Sequence, residues 1–138
     1  MGAWCDKEYT RSSGRARSLA ARLPEALALL KDVHREIIQV LSIHDLPQQP
    51  PQGQNWVEQG ITLAIAAGGD GVIGSVINQI VGSGLSLGIL PQGTSNDLAR
   101  SLHIPLDLHA AAKTIAAGQI RQIDLGVARP LETPHPSG

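Results

Sequence analysis

ITLAIAAGGDGVIGSVINQIVGSGLSLGILPQGTSNDLAR, residues 61–100, is the stretch that decides the fold. Its first seven residues, Ile61 to Ala67, form a near-continuous apolar run, as expected of a parallel strand buried on both faces. Gly68-Gly69-Asp70-Gly71 follows at once. From Val72 to Val81 the apolar residues recur at helical spacing, as Val72/Ile73, Val76/Ile77 and Ile80. Leu85 to Leu90 is a second apolar strand, ended by Pro91-Gln92-Gly93. Ser95 or Asn96 can cap a further helix carrying Leu98 and Leu102, which stops before Pro105. Strand, loop and helix alternate twice with short connections, which predicts an α/β fold: a parallel sheet flanked by helices.

Working outward toward the C-terminus, Asp107 can cap a helix through Ala110 to Ala117, with Gly118 as its end signal. Ile120 to Val127 reads as a final strand, and 129–138 as a Pro-rich tail. Toward the N-terminus, Asn55 to Gln59 reads as a short helical remnant behind a Pro/Gln loop from Leu46 to Gln54. Glu36 to Ile43 is rich in β-branched residues and predicts a strand. Leu19, Leu23, Leu27 and Leu30 place a helical region over Arg15 to Asp32, with Pro24 kinking it or opening a second helix. Residues 1–14 are poorly patterned, and any first strand there is degraded. No internal repeat is found.

A chain of 138 residues fits one domain. Phe is absent and the aromatics are Trp4, Tyr9 and Trp56, so the core must be aliphatic. A formal net charge of −1 supplies no basic field for nucleic acid. Cys5 stands alone, which excludes a disulfide framework or a thiolate zinc cluster, and the five histidines lack metal-ligand spacing. No run reaches the ~18 apolar residues needed to cross a bilayer, and the start shows no signal-peptide apolar region. The expectation is a cytoplasmic protein with at most peripheral membrane contact.

Two loops carry chemistry. In the first, glycines after a buried strand allow positive φ and close approach of a phosphate to main-chain amides. The helix beginning near Val72 aims its free amides and positive dipole end at the same spot. Asp70 would repel phosphates unless it binds Mg²⁺ or meets a proton, so it reads as a metal, water or hydroxyl contact; the plainer reading is a cap on its own helix. The second loop, Leu87 to Arg100, repeats the logic, with Thr94, Ser95 and Asn96 able to bond phosphate or ribose oxygens or merely to cap a helix. Two such loops at the same end of neighbouring parallel strands favour a nucleotide site. Neither is a Walker loop or a Gly-x-Gly-x-x-Gly dinucleotide fingerprint.

Gly68-Gly69-Asp70-Gly71 followed by Leu90-Pro91-Gln92-Gly93-Thr94-Ser95-Asn96-Asp97-Leu98-Ala99-Arg100 resembles the diacylglycerol kinase catalytic-domain family, which includes bacterial lipid kinases and sphingosine and ceramide kinases. Leu102-His103-Ile104-Pro105 and Ile123-Asp124-Leu125-Gly126 also fit its pattern. The resemblance implies a phosphofructokinase- or NAD-kinase-like nucleotide-binding domain spanning residues 15–128. It implies transfer of the ATP γ-phosphate to a lipid bearing a free hydroxyl, with Mg²⁺. By the same resemblance Asp70 is the catalytic and metal-binding residue. Gly68, Gly69, Gly71, Gly93, Thr94, Ser95 and Asn96 border the nucleotide, while Asp97 and Arg100 fix the loop and helix.

Departures from the family pattern accompany the match. Val72 stands where Thr is usual, Gly74-Ser75 replaces Asn-Glu while Asn78 is kept, Ser95 replaces a common Gly, and of an Asn-Pro-x-Ser-Gly loop only Ser13-Gly14-Arg15 survives. The family's second, largely β domain begins just past Gly126, so the resemblance implies a unit incomplete on its own, completed by a partner domain or a second copy. Two other readings stand beside the kinase: a non-catalytic nucleotide-binding module, and an NAD-kinase-like enzyme, against which Gly93-Thr94-Ser95-Asn96-Asp97 argues. His103 and His109 read as solvated surface residues rather than bases, because nothing pairs them with a nucleophile. Arg11, Arg15, Arg17 and Arg22 read as a solvated helix face.

Overall fold

The computed structural model describes residues 2–5, 24–32, 39–42 and 51–131. Four strands, β1 (Gly2–Cys5), β2 (Gln39–Ser42), β3 (Leu63–Gly68) and β4 (Ser86–Pro91), form one sheet in the order β2-β1-β3-β4. All three pairings are parallel. Helices lie at residues 24–32 (α1), Gly53–Glu58 (α2), Asp70–Ile80 (α3), Asp97–Ser101 (α4) and Leu108–Ala117 (α5). The α/β class and the parallel sheet predicted from residues 61–100 are therefore what the chain forms.

The alternation of side chains along β3 and β4 sorts the core into two halves. Ala64, Ala66 and Ile89 face one cluster, completed by Trp56, Ile61, Ile73, Val76, Ile80 and Ala99 from α2, α3, α4 and the turn before β3. Ile65, Ala67 and Leu90 face the other, with Ala26 and Leu30 of α1 and Leu108, Ala111 and Ala112 of α5. Successive Cβ atoms of a strand point to opposite faces, so a strand apolar at every position must be covered on both sides. That is the physical reason the unbroken run Ile61 to Ala67 gives a sheet sandwiched between helices. Small residues on β3 let the helices approach closely. At Gly88 a Cβ would stand 3.1 Å from the Ile115 side chain.

Several boundaries depart from the sequence reading. Gly2–Cys5, within the segment read as poorly patterned, is an interior strand, hydrogen-bonded to β2 on one side and β3 on the other. The Pro/Gln loop gives way to helix at Gly53, two residues before the predicted start. The predicted strand Ile120 to Val127 does not form: residues 119–131 carry no regular structure, and Ile120 and Val127 are 75% and 77% exposed. Its period-two pattern records a tendency to be extended, whereas a strand also needs an edge to pair with and a surface to cover. The halves of the predicted Arg15–Asp32 helix and Glu36–Ile43 strand that fall in 15–23, 36–38 and 43, and the Ser13-Gly14-Arg15 remnant, lie outside the described residues.

Candidate functional site

In an open parallel sheet, ligands bind beyond the carboxyl ends of the strands, where the strand order reverses direction. In the order β2-β1-β3-β4 that reversal lies between β1 and β3. Both glycine loops leave the sheet at this end. Gly68↔Pro91 is the last register pair of β3 and β4, and the amide of Gln92 donates to the carbonyl of Gly68 at 2.9 Å.

Beyond that pair the loops touch through their main chains. A Cβ on Gly93 would stand 2.4 Å from the Cα of Gly69, and one on Gly69 would stand 3.0 Å from the Cα of Gly93. This corrects the sequence-based reason for the glycines. Gly68, Gly69, Gly71 and Gly93 are not among the residues at positive φ. Gly69, the N-cap of α3, has φ −88° and ψ −172°, a conformation open to any residue. Gly69 and Gly93 are required by contact, backbone against backbone. Gly68 is pressed by its own helix, with Val72 Cγ2 2.7 Å from where its Cβ would be. Gly71 has open space at its Cβ position.

Asp70 ties the two loops together. Its Oδ2 and Oδ1 accept from the amides of Asp97 and Leu98, 3.0 Å each, across 27 and 28 residues of sequence. The plainer sequence reading made Asp70 a cap on its own helix. Instead it occupies the first turn of α3, whose cap makes no side-chain hydrogen bond, and satisfies the amides opening α4. Those two bonds, Leu98 first, hold its carboxyl below the ordinary value of 3.8, against the small opposing effect of burial. Two amides use half of a carboxylate's roughly four acceptor positions, so the half-exposed group keeps room for a cation or a hydroxyl.

Asn96 does for one loop what Asp70 does between them. It sits in the left-handed region at φ 52°, ψ 44°, which Asn tolerates better than most residues. Its Oδ1 accepts from the Gly93 amide at 2.8 Å and its Nδ2 donates to the Gly93 carbonyl at 3.0 Å. It stands at the N-cap of α4 but makes no side-chain cap bond, because both ends of its amide hold Gly93. Arg100 Nε donates to the Ser95 carbonyl at 2.9 Å, fixing the turn between them. Thr94 and Ser95 are exposed at the tip, free to meet a ligand.

The sequence reading passed over Gln92. It is only 8% exposed, and its Nε2 is buried with no hydrogen-bond partner among the described residues. An unsatisfied buried donor costs about 1–3 kcal/mol. Its place in the loop was visible in sequence; its burial was not.

Other candidates fall away from this edge. His103 and His109 are exposed, and His103 takes φ 57° as the residue that ends α4. An apolar groove of about 460 Å³ runs beside the far end of α3, between Ile80, Leu85, Leu98 and residues 122–125. It lies at the opposite end of that helix from Asp70. Among the described residues no three His, Cys, Asp or Glu side chains cluster to hold a metal, and no helix is long and apolar enough to cross a membrane.

Paired glycine loops at the carboxyl edge of a parallel sheet, locked to each other by one carboxylate, belong to a domain of the α/β class. The diacylglycerol kinase catalytic domain model matches residues 9–128, and the chain belongs to that family. A diacylglycerol kinase of Staphylococcus aureus (strain bovine RF122 / ET3-1) is 31% identical over 120 residues, 86% of this chain and 38% of that protein. One from Staphylococcus saprophyticus is 44% identical over 72 residues, 51% of this chain and 24% of that protein. The chain thus spans well under half the length of these relatives.

Proposed function

We propose that this chain is the ATP-binding portion of a lipid kinase that transfers the γ-phosphate of ATP to a lipid hydroxyl. The observation that carries the reading is the Asp70-locked pair of glycine loops at the N-terminus of α3, in a member of this family. The eleven-residue α3 presents unpaired amides and the positive end of its dipole there. Gly69 and Gly71 keep side chains out of the way of phosphates. Thr94 and Ser95 offer hydroxyls from the facing loop, and Asn96 holds Gly93 in place behind them.

Mg²⁺ fits this arrangement as a cation shared with the phosphates. It commonly takes one or two carboxylates, substrate oxygens and several waters, so a single Asp70 with acceptor positions to spare suffices. Bound there, it would neutralise charge developing on the transferred group. Asp70 itself orients the two loops and stays ionised at neutral pH. Residues 15–128, with β1 completing the sheet, form the catalytic-domain portion. The rest of the lipid cleft comes from a further domain or a second copy, and the acceptor is met at a membrane surface.

One observation favours a second reading, a nucleotide-binding module without turnover. Val72, where the family pattern has Thr, packs its isopropyl group against Gly68, so position 72 brings no hydroxyl to the first loop, and the Ser75 hydroxyl is bonded to the Gly71 carbonyl at 3.1 Å. The test is ³²P transfer from [γ-³²P]ATP–Mg²⁺ to mixed micelles of diacylglycerol, sphingosine or phosphatidylglycerol, with calorimetric ATP binding in parallel. Labelled lipid from wild type but not from Asp70→Asn supports the kinase. Binding without label supports the module, and no binding removes both.

A further inference from the structure

The apolar groove beside α3, and the segment that walls it, have no part in the nucleotide reading. Residues 119–131 carry no regular structure, yet they do not lie evenly on the surface. Ile120 and Val127 are 75% and 77% exposed, whereas Ile123 and Leu125 between them fall to 45% and 48%. The fall coincides with residues 122–125, which line the groove together with Ile80 of α3, Leu87 of β4 and Leu98 and Leu102 of α4. Leu98 belongs to two places at once. Its side chain lines the groove, and its amide donates to Asp70 Oδ1 at 3.0 Å. Leu102, one turn on, also lines the groove, and its amide donates to the Leu98 carbonyl at 3.0 Å. At five residues, α4 is too short to hold its place by its own hydrogen bonds. Packing must do so: Ala99 is fully buried, Leu98 and Leu102 rest against the same cluster, and the groove side of both leucines is walled by residues 122–125.

We propose that residues 122–125 are a strap that holds α4 in place for the site, with Ile123 and Leu125 as positioning residues acting through Leu98 on the Asp70 contact. Apolar side chains laid against apolar walls leave water, and that burial is what fastens the strap. Loosening it frees Leu98 and Leu102, lets α4 shift on Ala99, and weakens the bonds that tie the second glycine loop to the first. The strap's effect on ligand binding rests on the nucleotide reading above; its grip on α4 belongs to the free protein and is measured without a ligand.

The experiment reads amide hydrogen exchange by NMR in the ligand-free protein, and ATP–Mg²⁺ binding by calorimetry. The Asp97 and Leu98 amides open α4, where no intrahelical acceptor is available, so their exchange reports the bonds to Asp70 directly. The Ala111 amide of α5, bonded to the Asp107 carbonyl on the other face of the sheet, is the reference. The chain carrying Ile123→Ser with Leu125→Ser is compared with wild type, with Leu125→Met, which keeps the apolar bulk, and with Val127→Ser, the same kind of change outside the groove. In the double variant, exchange at Asp97 and Leu98 is expected to rise about tenfold relative to Ala111. ATP should bind about threefold more weakly, while Leu125→Met and Val127→Ser stay at wild-type values. Exchange that is unchanged, or that rises equally at all three amides, overturns the proposal, because the strap then adds at most to overall stability. An equal effect from Val127→Ser also overturns it, as does faster exchange with ATP affinity unaltered, which would detach the strap from the site. If wild type binds no ATP, the nucleotide reading falls, and the exchange rates alone decide whether the strap holds α4.

Discussion

Adding one methyl group at Gly93 should open the site from its centre. The Cβ of Gly93→Ala would stand 2.4 Å from the Cα of Gly69, 3.0 Å from Asn96 Oδ1 and 3.3 Å from the Gly69 amide nitrogen. Carbon atoms in contact sit at about 3.5–4.0 Å, so the two loops must part by roughly 1 Å. The obstacle is backbone on a strand end, which has no rotamer to yield. Movement on that scale stretches the 2.8 Å and 3.0 Å bonds between Asn96 and Gly93 past useful length. Overpacking costs about 1–3 kcal/mol, and each lost bond about 0.5–1.5 kcal/mol. Together they put Gly93→Ala about 3 kcal/mol below wild type, or about 10 °C in melting temperature for a chain of this length. Urea unfolding followed by circular dichroism measures it, with two neighbours as internal controls. Gly69→Ala meets Gly93 at 3.0 Å and should lose about 1 kcal/mol. Gly71→Ala meets nothing within 4 Å, lies in a helix at ordinary φ, and should be neutral or gain up to about 1 kcal/mol. If Gly93→Ala stays within about 0.5 kcal/mol of wild type, or if the order of the three is reversed, the backbone contact is not what those glycines are for.

Three further outcomes follow from individual side chains. Asn96→Asp keeps the acceptor for the Gly93 amide and loses the donor to its carbonyl, so it should cost about 1 kcal/mol and Asn96→Ala about twice that, read from denaturation midpoints. Asp107→Ala removes the α5 cap that accepts from the Ala110 amide at 2.9 Å, and should lose about 1 kcal/mol with the glycine loops unaffected; an unchanged midpoint would contradict it. Because its folded pKa is lowered, Asp70 stabilises the fold above the ordinary carboxylate value of 3.8 and loses that contribution as pH falls through the folded value. The stability gap between wild type and Asp70→Asn should therefore be constant from about pH 5 to 8 and close below about pH 4; a gap that widens in acid has the wrong sign.

How much of this was legible beforehand depends on whether the signal is local. The β3–α3–β4 unit could be read because Ile61 to Ala67 is apolar at every position and glycine punctuates both strand ends. Asp107 and Gly118 could be read as caps because capping is settled within one turn. Gly2–Cys5 could not, since four residues carry too little pattern and the strand is held by neighbours 37 and 62 positions away in register, at Gln39 and Ala64. Ile120 to Val127 was misread for the converse reason: its pattern is local and its pairing would not be. At the candidate site, both loops and Asp70 stand out in the sequence, and the structure brings them together. The partners of Asp70 and the stranding of Gln92 are tertiary facts with no trace in spacing.

The contacts of Asp70 change what a loss of activity in Asp70→Asn would mean. A carboxylate that binds two amides of α4 positions the second loop, whatever else it touches, so removing its charge disturbs the site even if it never meets a cation. The two roles part in their response to metal. A positioning role predicts weaker ATP binding at every Mg²⁺ concentration, because Gly93, Thr94 and Ser95 have moved relative to α3. A cation contact predicts that ATP binding by the variant recovers toward wild type as Mg²⁺ is raised, since one ligand of several has been weakened. Calorimetric ATP titrations of both proteins across a hundredfold range of Mg²⁺ separate them. Parallel curves leave Asp70 as the brace between the loops and move the metal contact elsewhere; converging curves place the cation on the same carboxylate that holds the loops together. Convergence would also explain why one acid suffices here: a group already fixed by two main-chain donors meets the cation with little orientational freedom left to lose.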